Sequence, residues 1–305
     1  MNDDYHEMED KAYLLKKEAD LLTKQVCGIF PANFYGCMLL FMGRSRNSTI
    51  YNNYLKAATI FVQLILYEEA AECFFEASKY AKTTCTDGKL PDSILMLQEA
   101  LKCAEALSCC TTVMTMQILQ KLVVEYLCIR KYSEAALTEF KLATINMLDG
   151  DYSSACLYYS QAESWYNLEK MTIEALSSKE NSAECYVLDE LFGPAKCTYD
   201  ECALCEHDQI DMNRKLNNVM LASLCGLLHF SINGKEESLS LDVEKRPWFT
   251  NSVQYTKRKE MVDHYKQKNI KGFMDAFEAF YETMEPAPTA IRLKDMIIKD
   301  LSKEV

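Results

Sequence analysis

The sequence predicts an all-α protein: antiparallel helix pairs stacked into a tetratricopeptide-like solenoid and closed by a C-terminal helical bundle. Three observations predict it. An aromatic residue, small residues and a second aromatic recur at helical spacing. They read Tyr67, Ala70, Ala71, Phe74 and Phe75, then Tyr132, Ala135, Ala136 and Phe140, then Tyr152, Ala155, Tyr158, Tyr159 and Ala162. Small residues let neighbouring helices approach closely and aromatics fill the space between them, as in helix-turn-helix repeats. With 9 Gly and 6 Pro in 305 residues, the chain is too poor in turn formers for an all-β fold of many hairpins. Hydrophobic residues make up 49%, which supplies a large core and argues against disorder.

Met8, Ala12, Leu15, Ala19 and Leu22 are spaced four, three, four, three, the apolar stripe of a helix from about Glu7 to Lys24. An uncharged stretch, residues 26–43, follows and is closed by Arg44 and Arg46. Gly28, Pro31, Asn33 and Gly36 are expected to break any helix in it, and it is shorter than the roughly 20 apolar residues of a membrane span. Helices are then expected over 53–66, 68–82, 92–107, 111–130, 133–148 and 152–168, with Asp149, Gly150 and Asp151 as a tight connector. A helix over 173–191 is expected to stop at Gly193 and Pro194, before further helices at 195–206 and 212–232. Asn233 and Gly234 turn the chain. Pro247 introduces Trp248 and Phe249, and helices over 253–268, 270–282 and 290–301 complete the chain. With no low-complexity linker, one continuous body is expected, a solenoid over 1–240 and a bundle over 241–305.

The net charge of -12 makes the chain a poor general partner for nucleic acid. The first ten residues are acidic and lack the basic start of a secretory signal, so a cytoplasmic protein with reduced thiols is expected. Of its 14 cysteines, Cys73, Cys103, Cys156 and Cys185 fall where a repeat places a small apolar residue, the role a reduced Cys fills. Cys202, Cys205 and His207 offer part of a zinc ligand set, but no second pair sits at a familiar spacing. On one helix the two thiols share a face that packs inward. No metal and no cofactor are therefore expected. No phosphate loop, nucleophile elbow or zinc-protease motif appears, and His229 lies in an apolar run as a packed residue rather than a base. The Asp-rich motifs of a helical prenyl transferase are missing too, so the chain does not read as an enzyme.

The order of these parts resembles the alpha-SNAP family of soluble attachment proteins. Lys11 to Asp20 is similar to that family's first helix, Gly28, Ile29 and Phe30 to its short glycine-phenylalanine-leucine loop, and Tyr54 to Phe61 to its next helix. Lys131 to Ala136, then Asp151 and Tyr152 through Trp165 and Tyr166, keep its register. Pro247 to Phe249, Lys268 to Phe273 and Ala276 to Tyr281 resemble its C-terminal bundle, and the chain's end looks more alpha-like than gamma-like. The resemblance implies a twisted sheet of helix pairs and an adaptor. Such a protein wraps the SNARE four-helix bundle left after vesicle fusion and recruits N-ethylmaleimide-sensitive factor (NSF), a hexameric AAA ATPase, which pulls that bundle apart in intracellular protein transport.

Three sets of site residues follow. Ile29, Phe30, Phe34, Tyr35, Leu39, Leu40 and Phe41 are candidates for insertion into a membrane surface, with Arg44 and Arg46 meeting anionic headgroups. The alternative packs residues 38–42 under the first repeat. The resemblance implies SNARE contacts by Arg130 and Lys131 at one inter-helix corner and by Lys170 and Lys179 near another, because the outside of the bundle is acidic. Leu137 and Ser177 stand where the family has basic residues. It further implies ATPase contact by Asp263, with Lys266 and Gln267 where acid is expected, and by the tail through Leu301 and Val305. Lys257, Arg258, Lys259, Lys266, Lys268 and Lys271 make this stretch locally basic. A cytoplasmic protein held peripherally at membranes is expected; the competing function is a general tetratricopeptide scaffold for a peptide or a complex subunit.

Overall fold

In the computed structural model the described residues are 2–24, 36–81, 90–107 and 113–303, with side chains described from residue 5 in the first segment and from residue 46 in the second. Among them are fourteen α-helices and two 3-10 turns, with no strand. The helices divide into two compact units, residues 1–142 and 143–305.

The first unit holds α1 (Asn2–Lys24), α2 (Gly36–Gln63), α3 (Tyr67–Tyr80), α4 (Asp92–Ala106), α5 (Val113–Cys128) and the first part of α6 (Tyr132–Leu148). The first three helices pack together through alanines: Ala12 and Ala19 of α1, Ala57 and Ala58 of α2, Ala70 and Ala77 of α3, all buried with Phe61 and Tyr54 among them. The Tyr54 hydroxyl donates to Asp20 at 2.6 Å, and Lys16 reaches Glu72 at 2.5 Å, so α1 is tied to both α2 and α3. The α2 helix starts at Gly36, much earlier than the expected residue 53. Glycine at a helix's first position costs little, because it interrupts no completed turn, and no proline lies between residues 36 and 63.

The second unit holds the rest of α6, then α7 (Tyr152–Leu168), α8 (Thr172–Leu188), α9 (Phe192–Ala203) and α10 (Met212–Asn233). The 3-10 turns Glu236–Leu239 and Asp242–Lys245 lead into α11 (Pro247–Thr250), α12 (Val253–Lys266), α13 (Ile270–Phe280) and α14 (Pro288–Lys303). The expected stop at Gly193 and Pro194 is instead the first turn of α9, where proline's missing N–H breaks no bond. A β-carbon on Gly193 would lie 2.9 Å from the His229 ring, so glycine lets α9 close onto α10. One apolar core runs from Ala183 of α8 to Leu301 of α14 and includes Phe249, Phe273, Phe277 and Phe280. Burying each of those rings contributes about 2 kcal/mol. Residues 241–305 therefore share their core with α8, α9 and α10.

A buried polar pair pins the 3-10 segment. Asp200 of α9, 6% exposed, accepts the backbone N–H groups of Asp242 and Val243 at 2.5 and 3.1 Å. Arg258 of α12, 4% exposed, donates to Ser223 at 2.9 Å, to Glu244 at 2.7 Å and to the Leu239 carbonyl. Although it sits in the locally basic stretch, Arg258 is a core residue. Replacing Arg258 with Met leaves the Leu239 carbonyl without this donor and Glu244 with only the Leu241 N–H, and is expected to lower the unfolding free energy by about 3 kcal/mol in urea titrations. Replacing Lys266 with Met breaks only the exposed pair to Glu236 and is expected to change it by less than about 0.5 kcal/mol.

Glu139 of α6 is buried, and desolvation pushes its carboxyl up to about 7. The folded state then holds a proton that the unfolded chain releases near pH 4.5. This contribution is complete below pH 4.5 and is lost as pH rises through 7. In thermal melts, Glu139→Gln is expected to flatten that dependence and to stabilise the protein on the order of 1–3 kcal/mol at pH 8 relative to the parent chain.

Candidate functional site

The inter-helix corners share one construction. Arg130 adopts φ +60° and its N–H donates to the Leu127 carbonyl at 3.1 Å, while the Lys131 N–H reaches the Tyr126 carbonyl at 2.9 Å. The same pair of bonds closes on Gly150 (φ +82°), Lys170 (φ +60°) and Glu190 (φ +57°), with acceptors at Asn146, Tyr166 and Tyr186. This is the left-handed helix C-terminus that two backbone bonds usually close around glycine. Lys268, between α12 and α13, repeats it. Holding a non-glycine residue there costs roughly 1 kcal/mol. The apex side chain stands outside the helix ladder, so the corner is a platform for whatever residue occupies it.

Arg130 and Lys170 are two such apices. Both are exposed, and neither has an ion pair or side-chain hydrogen bond among the described residues. The other two residues assigned to SNARE contact are placed differently. Lys131 pairs with Glu134 at 2.6 Å on its own helix start. Lys179 is no corner residue: it lies mid-way along α8 and bridges Glu201 of α9 at 2.7 Å and Glu163 of α7 at 3.6 Å. Of the positions where the family has basic residues, Leu137 is 53% exposed. Ser177 accepts an N–H of Arg214 at 2.8 Å, and that guanidinium is itself clamped on Glu180.

In the C-terminal helices Asp263 is exposed on α12. The basic stretch around it is largely neutralised or buried. Lys266 pairs with Glu236 at 2.7 Å, Lys257 with Glu260 at 2.9 Å, and Lys259 lies 4.3 Å from the centre of the Tyr255 ring. Leu301, expected to act in the tail, is 4% exposed and packs in the core with Leu293 and Ile297. Its spacing on α14 makes it a core residue, so it presents no surface to a partner. Val305 lies outside the described residues.

Of the membrane candidates, Ile29, Phe30, Phe34 and Tyr35 lie outside the described residues. Leu39, Leu40 and Phe41 belong to the backbone of α2, with side chains outside the description. Among the described residues no helix is long and apolar enough to cross a membrane. Cys202 packs with Leu176 and Ile210, Cys205 lies against that cluster, and burial holds the Cys202 thiol well above its ordinary range.

The profile of the family described as soluble NSF attachment protein, SNAP, matches residues 31–293. The chain belongs to this family. A comparison with curated proteins finds no significant match. The family match spans all helices from α2 to α13 and the first turns of α14.

Two features escaped the sequence reading. The corner apices fall at residues 130, 150, 170 and 190, one every twenty residues, and Ala135, Ala155, Ala175 and Ala195 follow each apex by five. That column of alanines was the available signal. The second is the polar start of α10, where Asn213, Asn217 and Asn218 stand with Arg214 and Lys215 ahead of a mainly apolar run.

Proposed function

We propose that this chain is a non-enzymatic adaptor that binds SNARE four-helix bundles and recruits an NSF-type hexameric ATPase to disassemble them. The observation that carries this is the family match over 263 of 305 residues. Two details support it. Arg130 and Lys170 are unpaired cations on corner apices, a placement suited to the acidic outside of a helical bundle. Asp263 is an exposed carboxylate on the C-terminal helices, where the resemblance implies the ATPase contact. Lys131 and Lys179 have carboxylate partners of their own and are assigned secondary roles. The uncharged stretch 26–43 is assigned to the membrane surface, making the protein cytoplasmic and peripheral.

Co-sedimentation with a preformed SNARE bundle, with and without the ATPase, tests the adaptor role. Binding followed by ATP-dependent release in the ternary mixture is the expected result. Absence of binding to any SNARE bundle would leave a helical scaffold with another client and sink the proposal.

The double variant Arg130→Gly with Lys170→Gly is expected to weaken bundle binding about tenfold, from two lost charge contacts of roughly 0.7 kcal/mol each. Glycine relieves the left-handed strain, so thermal melting is expected to stay level or rise slightly. A fall in binding accompanied by a fall in melting temperature would point to misfolding instead of lost contacts. Replacing Ile29 and Phe30 with Ser is expected to reduce co-flotation with anionic liposomes without changing helix content by circular dichroism. Unchanged flotation would remove this stretch as the anchor.

A further inference from the structure

A cavity of about 510 Å³ opens in the second unit where α8, α9, α10 and the start of α14 meet. Its size suits a small ligand or one long side chain, but its lining is polar. Glu180, Glu184 and Asp211 supply three carboxylates against the single guanidinium of Arg214. Its Nε and Nη2 are already committed. Arg214 holds Glu180 by its Nε at 3.0 and 3.1 Å and by its Nη2 at 2.6 Å, and Asn218 adds a third donor at 2.7 Å. Glu180 is thereby satisfied, which leaves Glu184 and Asp211 as the lining carboxylates with no cation.

The unsatisfied groups all face one need. Asn217 Oδ1 is buried and has no hydrogen-bond partner. Tyr199 is 2% exposed and lines the cavity, and its hydroxyl makes no hydrogen bond to any described residue. Glu184 accepts one bond, from Thr289 at 3.0 Å, and has no cation beside it. Asp211, solvent-exposed at the N-cap of α10, makes no side-chain capping bond, so its carboxylate on the cavity lining is uncommitted. The buried Asn217 oxygen without a donor is costly, and a group bearing several N–H bonds and positive charge complements it together with the uncommitted carboxylates of Glu184 and Asp211. A bare metal ion fits less well: among the described residues no three acidic, His or Cys side chains gather closely enough to hold one.

We propose that this cavity is a binding site for an organic cation, a guanidinium or ammonium group, received by Glu184, Asp211, Tyr199 and Asn217. The site is separate from the corner apices and does not depend on the adaptor role. Two sources carry this chemistry: a free small cation, or an Arg or Lys side chain of a protein.

Isothermal titration of the full chain with agmatine and with the blocked tripeptide acetyl-Gly-Arg-Gly-amide separates them, at low and at physiological ionic strength. Saturable one-to-one binding of at least one probe is expected. Tighter binding of the tripeptide assigns the cation to a protein side chain, and tighter binding of agmatine assigns it to a free ligand. Glu184→Gln, which keeps an acceptor for Thr289, and Asp211→Asn are each expected to weaken binding about tenfold, the equivalent of one charged hydrogen bond. Glu278→Gln, which removes an exposed carboxylate from α13, is expected to leave it unchanged. Should Glu184→Gln fail to fold, Asp211→Asn carries the test, since that side chain supports no helix cap. No saturable binding of either probe, or equal weakening by Glu278→Gln, would overturn the proposal.

Discussion

Each helix reversal between residues 128 and 192 is made by a single residue in the left-handed region, and that constraint sets the spacing of everything around it. Two backbone bonds close the corner, so only three residues separate one helix from the next. With connections fixed at three residues and helices at seventeen, as in α6, α7 and α8, the period is twenty residues per helix. Five residues past each apex the chain carries alanine, and all four alanines are buried. That is the turn where a helix leaves its corner and lies closest to the neighbour it has just left, so a larger side chain would push the two apart. The corner thus dictates both the period and the residue that the period repeats.

The same constraint explains which parts of the fold were legible. The tyrosine and alanine modules at 132 and 152 gave the correct helix type and nearly the correct starts, because α6 and α7 begin on those tyrosines. The next two members of the series, Thr172 with Ala175 and Phe192 with Ala195, replace the leading tyrosine and so broke the recognised module without breaking the period. Gly193 and Pro194 then looked like a terminator. Their meaning depends on position within a helix, and only the corner at Glu190 shows that they fall in a first turn. Gly36 misled in the same way at the start of α2.

Site residues were less legible, because sequence shows charge but not what neutralises it. Lys170 and Lys179 lie nine residues apart and read alike, yet one crowns a corner and the other is locked between two glutamates on adjacent helices. Arg258 reads as one of a run of surface cations and is instead among the most buried polar groups of its unit. In each case the deciding partner is distant in sequence: Glu201 for Lys179, Ser223 and Leu239 for Arg258. Leu301 is the converse. As the last apolar residue of an amphipathic stripe with Leu293 and Ile297, its burial follows from spacing alone, and a role assigned by resemblance did not take that stripe into account.

Both guanidiniums that organise the second unit are engaged by protein groups. Arg258 serves a hydroxyl, a carboxylate and a carbonyl, and Arg214 serves Glu180 and Ser177. Neither guanidinium pairs with Glu184 or Asp211, the two remaining carboxylates of the recess. Water satisfies the exposed Asp211 at little cost, but the buried Asn217 oxygen in the recess between four elements has no donor and holds an energy that an N–H group would recover. The polar start of α10 has this arrangement. Asn217 and Asn218 are neighbours in the chain: Asn218 is bound to the Arg214–Glu180 clamp and the Asn217 oxygen is left open, so adjacent residues separate a finished polar network from an unfinished one.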